Sequence, residues 1–137
     1  MTELTPALRV AVIVRAKERC EYCGLAQAGQ EAAFHIDHVQ PRAVGGPTTE
    51  ENLALSCVSC SLHKAARREA TDAEIGEQVP LFHPRQQQWA DHFRWIGERV
   101  EGITPTGRAT VVALKMNRPL ILAIRRQEAL RGRHPHV

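Results

Sequence analysis

Four cysteines stand in two pairs whose spacing suits a metal ion. Two residues separate Cys20 from Cys23, and two separate Cys57 from Cys60. Each tight turn can direct two thiolates at one tetrahedral Zn²⁺, and four thiolates leave no coordination position for water. The spacing therefore predicts a structural zinc site. A redox pair would explain only one of the two motifs, and four unrelated buried cysteines are the other alternative.

The segment between the cysteine pairs carries a second group of reactive side chains. Asp37 and His38 are adjacent, and Gly45-Gly46 and Asn52 follow them. A neutral histidine can take a proton from water near neutral pH. A carboxylate is a common ligand of divalent cations. These residue types together are suited to metal-assisted hydrolysis.

The order of these motifs resembles that of one known family. Asp-His, Gly-Gly, Asn-Leu and Cys-x-x-Cys follow one another in residues 20–64 as they do in the HNH endonucleases. The resemblance implies a ββα-metal fold, in which two strands and a helix enclose one divalent cation. It also implies hydrolysis of phosphodiester bonds in DNA, with Mg²⁺, Mn²⁺ or another divalent cation acting beside structural Zn²⁺. By the same resemblance His38 is the general base, Asp37 binds the cation, and Asn52 pins the loop and helps to orient the histidine.

The last cation ligand of that motif is changed in this chain. The family commonly has His or Asn directly after the final knuckle cysteine, where this chain has Ser61. A neutral hydroxyl is a weaker ligand. His63 lies about 200° further round a helix, so Ser61 and His63 cannot both face one ion. We favour His63 as the ligand or as a phosphate contact, with Ser61 acting through water. His35 shares a strand face with Asp37; we assign it a structural role, with support of the site as the alternative.

Basic residues near these motifs are candidates for contact with nucleic acid. Arg42 lies in the loop after His38, and Lys64, Arg67 and Arg68 extend from the predicted metal helix. Such side chains would contact phosphates without reading bases. A solvated helix face explains the same charges equally well.

The expected fold is α+β, with a ββα-metal core and its zinc site flanked by helices. The core would occupy residues 1–70, and residues 71–137 would form an extension packed on it. Within this extension, residues 79–116 resemble a region of compact bacterial HNH proteins. The expected elements are a helix over 5–19, a strand over 33–39, a helical turn over 49–52, a helix over 61–69, loops with a short hairpin over 80–104, and helices over 106–116 and 119–131.

Composition limits the setting in which the protein works. The net charge is +3 and the pI is near 8.9, a mild basic excess that permits a nucleic-acid partner without requiring one. The sequence has neither an apolar run of membrane-spanning length nor a signal-peptide pattern, so we expect a cytoplasmic protein with no membrane partner. We expect no small-molecule cofactor. The oligomeric state is open, because one active site cuts one strand and a double-strand break needs a dimer or two successive nicks.

Two other functions fit parts of the sequence. One is a non-catalytic nucleic-acid-binding module, stabilised by zinc and weakened at Ser61. Binding alone would not need Asp37, His38 and Asn52 together, which argues against it. The other is a zinc-stabilised scaffold protein, which predicts tight Zn²⁺ binding, no second metal site and no salt-dependent affinity for DNA.

Overall fold

The computed structural model describes residues 3–136, and within them it contains short helices and three two-stranded antiparallel sheets. The mixture of elements agrees with the α+β class. The elements in chain order are α1 (Pro6–Arg15), β1 (His35–His38), β2 (Leu53–Ser56), α2 (Val58–Lys64), β3 (Glu69–Asp72), β4 (Glu77–Pro80), α3 (Trp89–His92), β5 (Phe93–Ile96), β6 (Arg99–Gly102), α4 (Pro105–Ala113) and α5 (Pro119–Leu130).

The first helix forms as the capping residues predict. Thr5 Oγ1 accepts a hydrogen bond from the Leu8 amide at 3.1 Å, and Pro6 occupies the first helical position. The helix ends at Arg15 rather than at residue 19, because Lys17 and Glu18 turn the backbone with φ of 55° and 56°. The last residue of the helix connects it to the core, because the Arg15 guanidinium donates to the carbonyl oxygen of Leu53 at 2.6 Å.

Two strands and a helix follow one another around the candidate site. β1 pairs with β2 antiparallel, from His35 opposite Ser56 to His38 opposite Leu53, and α2 packs against both strands. All four residues of β2 are buried, whereas those of β1 are half-buried. The reactive side chains of β1 therefore lie at the border between the core and solvent. A 3₁₀ turn over Glu50–Asn52 enters β2, where a helical turn was predicted.

The bounds predicted for the metal helix were wrong at both ends. α2 begins at Val58 because Cys57 Sγ caps it, accepting from the Cys60 amide at 3.4 Å. It ends at Lys64 because Ala65 turns the backbone with a φ of 47°. Arg67 and Arg68 therefore follow the helix instead of lying on it.

The C-terminal part contains two hairpins where one was predicted. β3 pairs with β4, and β5 pairs with β6. The boundary that we drew at residue 70 falls inside β3. The two last helices were predicted correctly in type and nearly so in extent, and each begins with a proline at its first position, Pro105 and Pro119.

One hydrophobic core joins the two parts of the chain. It includes Tyr22 and Leu53 from the first part together with Phe82, Phe93 and Ile121 from the second. Within residues 3–136 no helix combines the length and the apolar character needed to cross a membrane. Residues 1, 2 and 137 lie outside the described residues.

Candidate active site and metal centre

The four cysteines meet in one buried cluster. Their sulfur atoms all lie within 4.8 Å of one another, and the thiols form no disulfide. Cys23 Sγ and Cys57 Sγ are 3.7 Å apart, close to the spacing of about 3.8 Å that a tetrahedron of 2.3 Å Zn–S bonds requires. Within residues 3–136 this is the only group of three or more His, Cys, Asp or Glu side chains close enough to hold one ion. The cluster is a candidate zinc site.

Local backbone geometry shapes each pair of thiols. Gly24 follows Cys23 with a φ of 78°, and its amide donates to the Cys20 carbonyl at 2.9 Å. The amide of Cys23 points at Cys20 Sγ at 3.4 Å, as the amide of Cys60 does at Cys57 Sγ. Hydrogen bonds from the neighbouring thiols and burial raise the pKa of Cys60 well above its ordinary value. A cation bound to the sulfurs would reverse this, because metal binding favours thiolates.

His38 lies at the end of β1 with one ring nitrogen fixed. Its Nε2 is 2.8 Å from the hydroxyl oxygen of Thr48, which is buried. When Nε2–H donates to that oxygen, Nδ1 is the nitrogen left to accept a proton. Burial, and after it the charge of Arg42, lowers the pKa of His38 below its ordinary value. The neutral imidazole that a general base needs is therefore favoured near neutral pH.

Asn52 folds the loop back over the end of the strand. Its Oδ1 accepts from the Gln40 amide at 2.8 Å, and its Nδ2 donates to the carbonyls of Gln40 and Pro47 at 3.0 and 2.8 Å. These three bonds close the loop that carries Thr48 to His38. Asn52 forms no hydrogen bond with the His38 ring itself, so the geometry supports the loop-pinning part of its predicted role and makes its effect on the ring indirect.

The glycine pair in this loop contains one position where only glycine fits. A Cβ on Gly46 would lie 1.8 Å from the carbonyl oxygen of Gln40, whereas a Cβ on Gly45 would meet nothing within 4 Å. Gly45 instead supplies a left-handed turn, with a φ of 86°.

Replacing Gly46 by alanine should therefore destabilise the protein by about 1–3 kcal/mol, because the loop must move away from the Gln40 carbonyl. Gly45→Asn is the matched control, since asparagine tolerates a positive φ. Denaturant unfolding should show a large loss for Gly46→Ala and a small one for Gly45→Asn. Equal stability of Gly46→Ala and the parent chain would contradict the close approach.

Asp37 and the residues of α2 lie beside this arrangement. Asp37 is half-buried, and its carboxylate forms no hydrogen bond with another described residue. On the facing helix, Ser61 Oγ lies 2.8 Å from His35 Nδ1. His63 has turned back along its own helix, with Nδ1 2.8 Å from the Ser59 carbonyl oxygen. The structure thus brings Ser61, and not His63, to β1, which does not support our preference for His63 as the cation ligand.

Comparison with known families covers this same part of the chain. Residues 20–67 match the family model described as HNH endonuclease. These residues, called the HNH segment below, are therefore similar to that family. The HNH segment contains the four cysteines as well as Asp37, His38 and Asn52. The comparisons with curated proteins and with solved structures gave no match.

The basic residues predicted to contact nucleic acid occupy different environments. Lys64 is only 2% exposed, and its ammonium donates to the Val39 carbonyl at 3.2 Å. Burial lowers the pKa of Lys64, and the nearby Asp37 carboxylate opposes this effect. Lys64 therefore fastens α2 to the end of β1 and is not available as a surface contact for phosphate, contrary to our expectation. Arg42, Arg67 and Arg68 are exposed.

Thr48 is the residue of the HNH segment that sequence reasoning missed. Threonine in a loop carries no distinctive signal, and its neighbour in space, His38, is ten positions away. The one hint was its place directly after Gly45-Gly46-Pro47, between the two motifs that the loop joins.

If His38 is a general base, replacing Thr48 by valine should slow catalysis by about 10- to 100-fold. The His38 ring becomes charged when it takes a proton, and a hydrogen bond to a charged group contributes about 1.5–3 kcal/mol. Valine keeps the shape of threonine and removes the acceptor. Thr48→Ser keeps the acceptor and should recover most of the rate. A single-turnover rate for Thr48→Val equal to that of the parent chain would remove Thr48 from the site.

Proposed function

We propose that the protein is a metal-dependent endonuclease that hydrolyses phosphodiester bonds in DNA, with His38 as the general base. The observation that carries this proposal is the state of His38. The ring is held at Nε2 by Thr48, its pKa is lowered, and it stands next to an unpaired carboxylate on the same strand. The HNH match supports the same reaction class.

The residues present fit a divalent cation at Asp37. A half-buried carboxylate without a hydrogen-bonding partner among the described residues is free to bind one. Cations such as Mg²⁺ commonly keep several waters and use one or two protein ligands together with phosphate oxygens, so a full protein cage is not needed. When bound, such a cation would polarise the scissile phosphate and stabilise the departing oxygen.

The protein side chains transfer the proton and hold the catalytic histidine in place. Nδ1 of His38 takes a proton from the water whose oxygen attacks phosphorus. The bond from phosphorus to the 3′ oxygen breaks, and the departing oxygen takes a proton from solvent water, which leaves a 3′ hydroxyl on one fragment and a 5′ phosphate on the other. Thr48 Oγ1 accepts the Nε2–H of the charged ring throughout. Asn52 keeps the loop closed so that Thr48 stays in place.

The surrounding structure supports this chemistry. Arg42 is exposed in the loop that follows His38, where its guanidinium would contact a phosphate beside the site. Arg67 and Arg68 would extend the contact along the DNA backbone. We infer that β1, β2 and α2 form a ββα-metal core, that the cysteine cluster holds structural Zn²⁺, and that residues 71–137 serve as an extension supporting residues 1–70.

Nicking of supercoiled plasmid by purified zinc-loaded protein tests the proposal. We expect conversion to the relaxed form with Mg²⁺, Mn²⁺ or Ni²⁺ and none with EDTA at a concentration that leaves the bound zinc in place. The observation that favours the alternative, a non-catalytic nucleic-acid-binding module, is Ser61 at the usual ligand position. Salt-dependent DNA binding without cleavage in any metal would favour that module and overturn the nuclease.

A further inference from the structure

We propose that His35 supplies the second protein ligand of the catalytic cation, beside Asp37, and that Ser61 orients it. This inference rests on the proposed function, because it completes the cation site of that nuclease. It assigns His35 a part in the chemistry that the sequence alone did not.

The strand places His35 and Asp37 side by side. They are two positions apart in β1, so both side chains project from the same face of the sheet. The ring of His38, at the end of the strand, contacts Thr48. The face that carries Asp37 also meets α2, because Ser61 reaches His35 there. A cation bound to Asp37 would therefore lie within the reach of the His35 ring.

The hydrogen bond between His35 and Ser61 prepares the ring for a metal. A ligating histidine usually donates the N–H of one ring nitrogen to an oxygen, and this fixes the tautomer in which the other nitrogen can bind. His35 Nδ1 lies 2.8 Å from Ser61 Oγ. Its Nε2 forms no hydrogen bond with any other residue of the described chain. With Nδ1–H donating to Ser61, the lone pair of Nε2 is available.

The contact between His35 and Ser61 also explains how a cation can be bound although Ser61 replaces the usual His or Asn ligand. The residue after the last cysteine reaches β1 in this structure, but its hydroxyl is a poor ligand for a cation. The imidazole of His35, on the facing strand, contacts Ser61. His63 does not replace it, because the Nδ1 of His63 is bound to the Ser59 carbonyl within the helix. The donor set becomes one carboxylate and one imidazole, which favours Mn²⁺, Co²⁺ or Ni²⁺ over Mg²⁺.

Binding of Mn²⁺ to the zinc-loaded protein, followed by electron paramagnetic resonance in the absence of DNA, tests this site. We expect the parent chain to bind one Mn²⁺, His35→Ala to bind it at least about 10-fold more weakly, and His63→Ala to bind it within about 2-fold of the parent. Each variant must retain its zinc and its melting temperature. In the His35→Ala background, Ser61→His should restore part of the affinity, since it returns an imidazole to the position that faces residue 35.

The possible results separate this inference from the proposed function. Mn²⁺ binding that His63→Ala abolishes and His35→Ala leaves unchanged would overturn the assignment of His35, while the nuclease could stand. Binding that depends on His35 in a protein that nicks no DNA would support the site and overturn the nuclease. A zinc-loaded parent chain that binds no Mn²⁺ at millimolar concentration would overturn the site itself.

Discussion

Replacing His38 by alanine should lower the rate of metal-dependent plasmid nicking by about 10²- to 10⁴-fold, the usual contribution of a general base. The ring sits at the end of β1 with Nε2 held by Thr48, and burial lowers its pKa. Alanine removes the acceptor for the water proton and leaves the zinc cluster untouched. Single-turnover nicking of plasmid, with zinc content and melting temperature measured on the same samples, checks the prediction.

The matched control for His38→Ala is another half-buried histidine outside the HNH segment. His134 lies in the C-terminal tail, where its Nε2 is 2.9 Å from the Gly97 carbonyl oxygen and its ring packs on Trp95. His134→Ala should retain nicking within about 3-fold, after correction for any change in the folded fraction, because histidines far from the reacting groups contribute only through stability. Equal cleavage by the parent chain and His38→Ala would show that His38 is not the base.

Loss of zinc should abolish the cooperative folding of the whole chain. Structural zinc binding contributes about 10–16 kcal/mol in zinc-finger peptides, as much as the entire unfolding free energy of a typical domain, about 5–15 kcal/mol. The cluster also holds together distant segments. Cys20 and Cys23 follow the first helix, whereas Cys57 and Cys60 begin α2.

Cys60→Ser tests this dependence, because it removes one of the four thiolates from a fully buried position. We expect no zinc by mass spectrometry, no cooperative thermal transition, and loss of the near-ultraviolet dichroism of the tryptophans. Leu62→Ala, on the same helix and 68% exposed, should change stability by less than about 0.5 kcal/mol. A Cys60→Ser protein with the melting temperature of the parent chain would mean that the cysteines pack without a metal.

The tryptophan signal is a suitable reporter because the C-terminal part rests directly on the cysteine pair. Trp89 Nε1 donates to the Tyr22 carbonyl at 2.8 Å, and Arg85 forms a partly buried ion pair with Glu21. Glu21 in turn accepts from the Leu55 amide of β2 at 2.8 Å. Disorder at the first cysteine pair should therefore spread to both tryptophans and to the strand that supports the site.

The sequence by itself determined the features that depend on local chemistry. Paired cysteines two residues apart can make the same tight turn in any fold, so their meeting in one cluster could be predicted from spacing. Thr5-Pro6 marks a helix start because capping uses only neighbouring residues. The Gly45-Gly46 pair and Asn52 identified a folded loop for the same reason, and their positions between the cysteines led to the HNH family.

Only the tertiary structure decided how the side chains of α2 are directed. The face that a helix presents depends on the residue at which it begins, and the cap by Cys57 starts α2 three residues earlier than predicted. That start sets Ser61 against His35, directs His63 away, and buries Lys64. No local pattern encodes this choice, because it follows from packing against β1 and the residue after it, which are distant along the chain: Ser61 contacts His35 and Lys64 contacts Val39.

The partner of His38 was hidden for a similar physical reason. Thr48 reaches the ring only after the loop has folded back. That fold depends on one hydrogen bond that Asn52 accepts and two that it donates, and on the close approach that Gly46 allows. A contact made by loop closure has no periodicity to reveal it. The sequence therefore named the candidate site residues, and the packing of one loop and one helix determined which neighbours contact them.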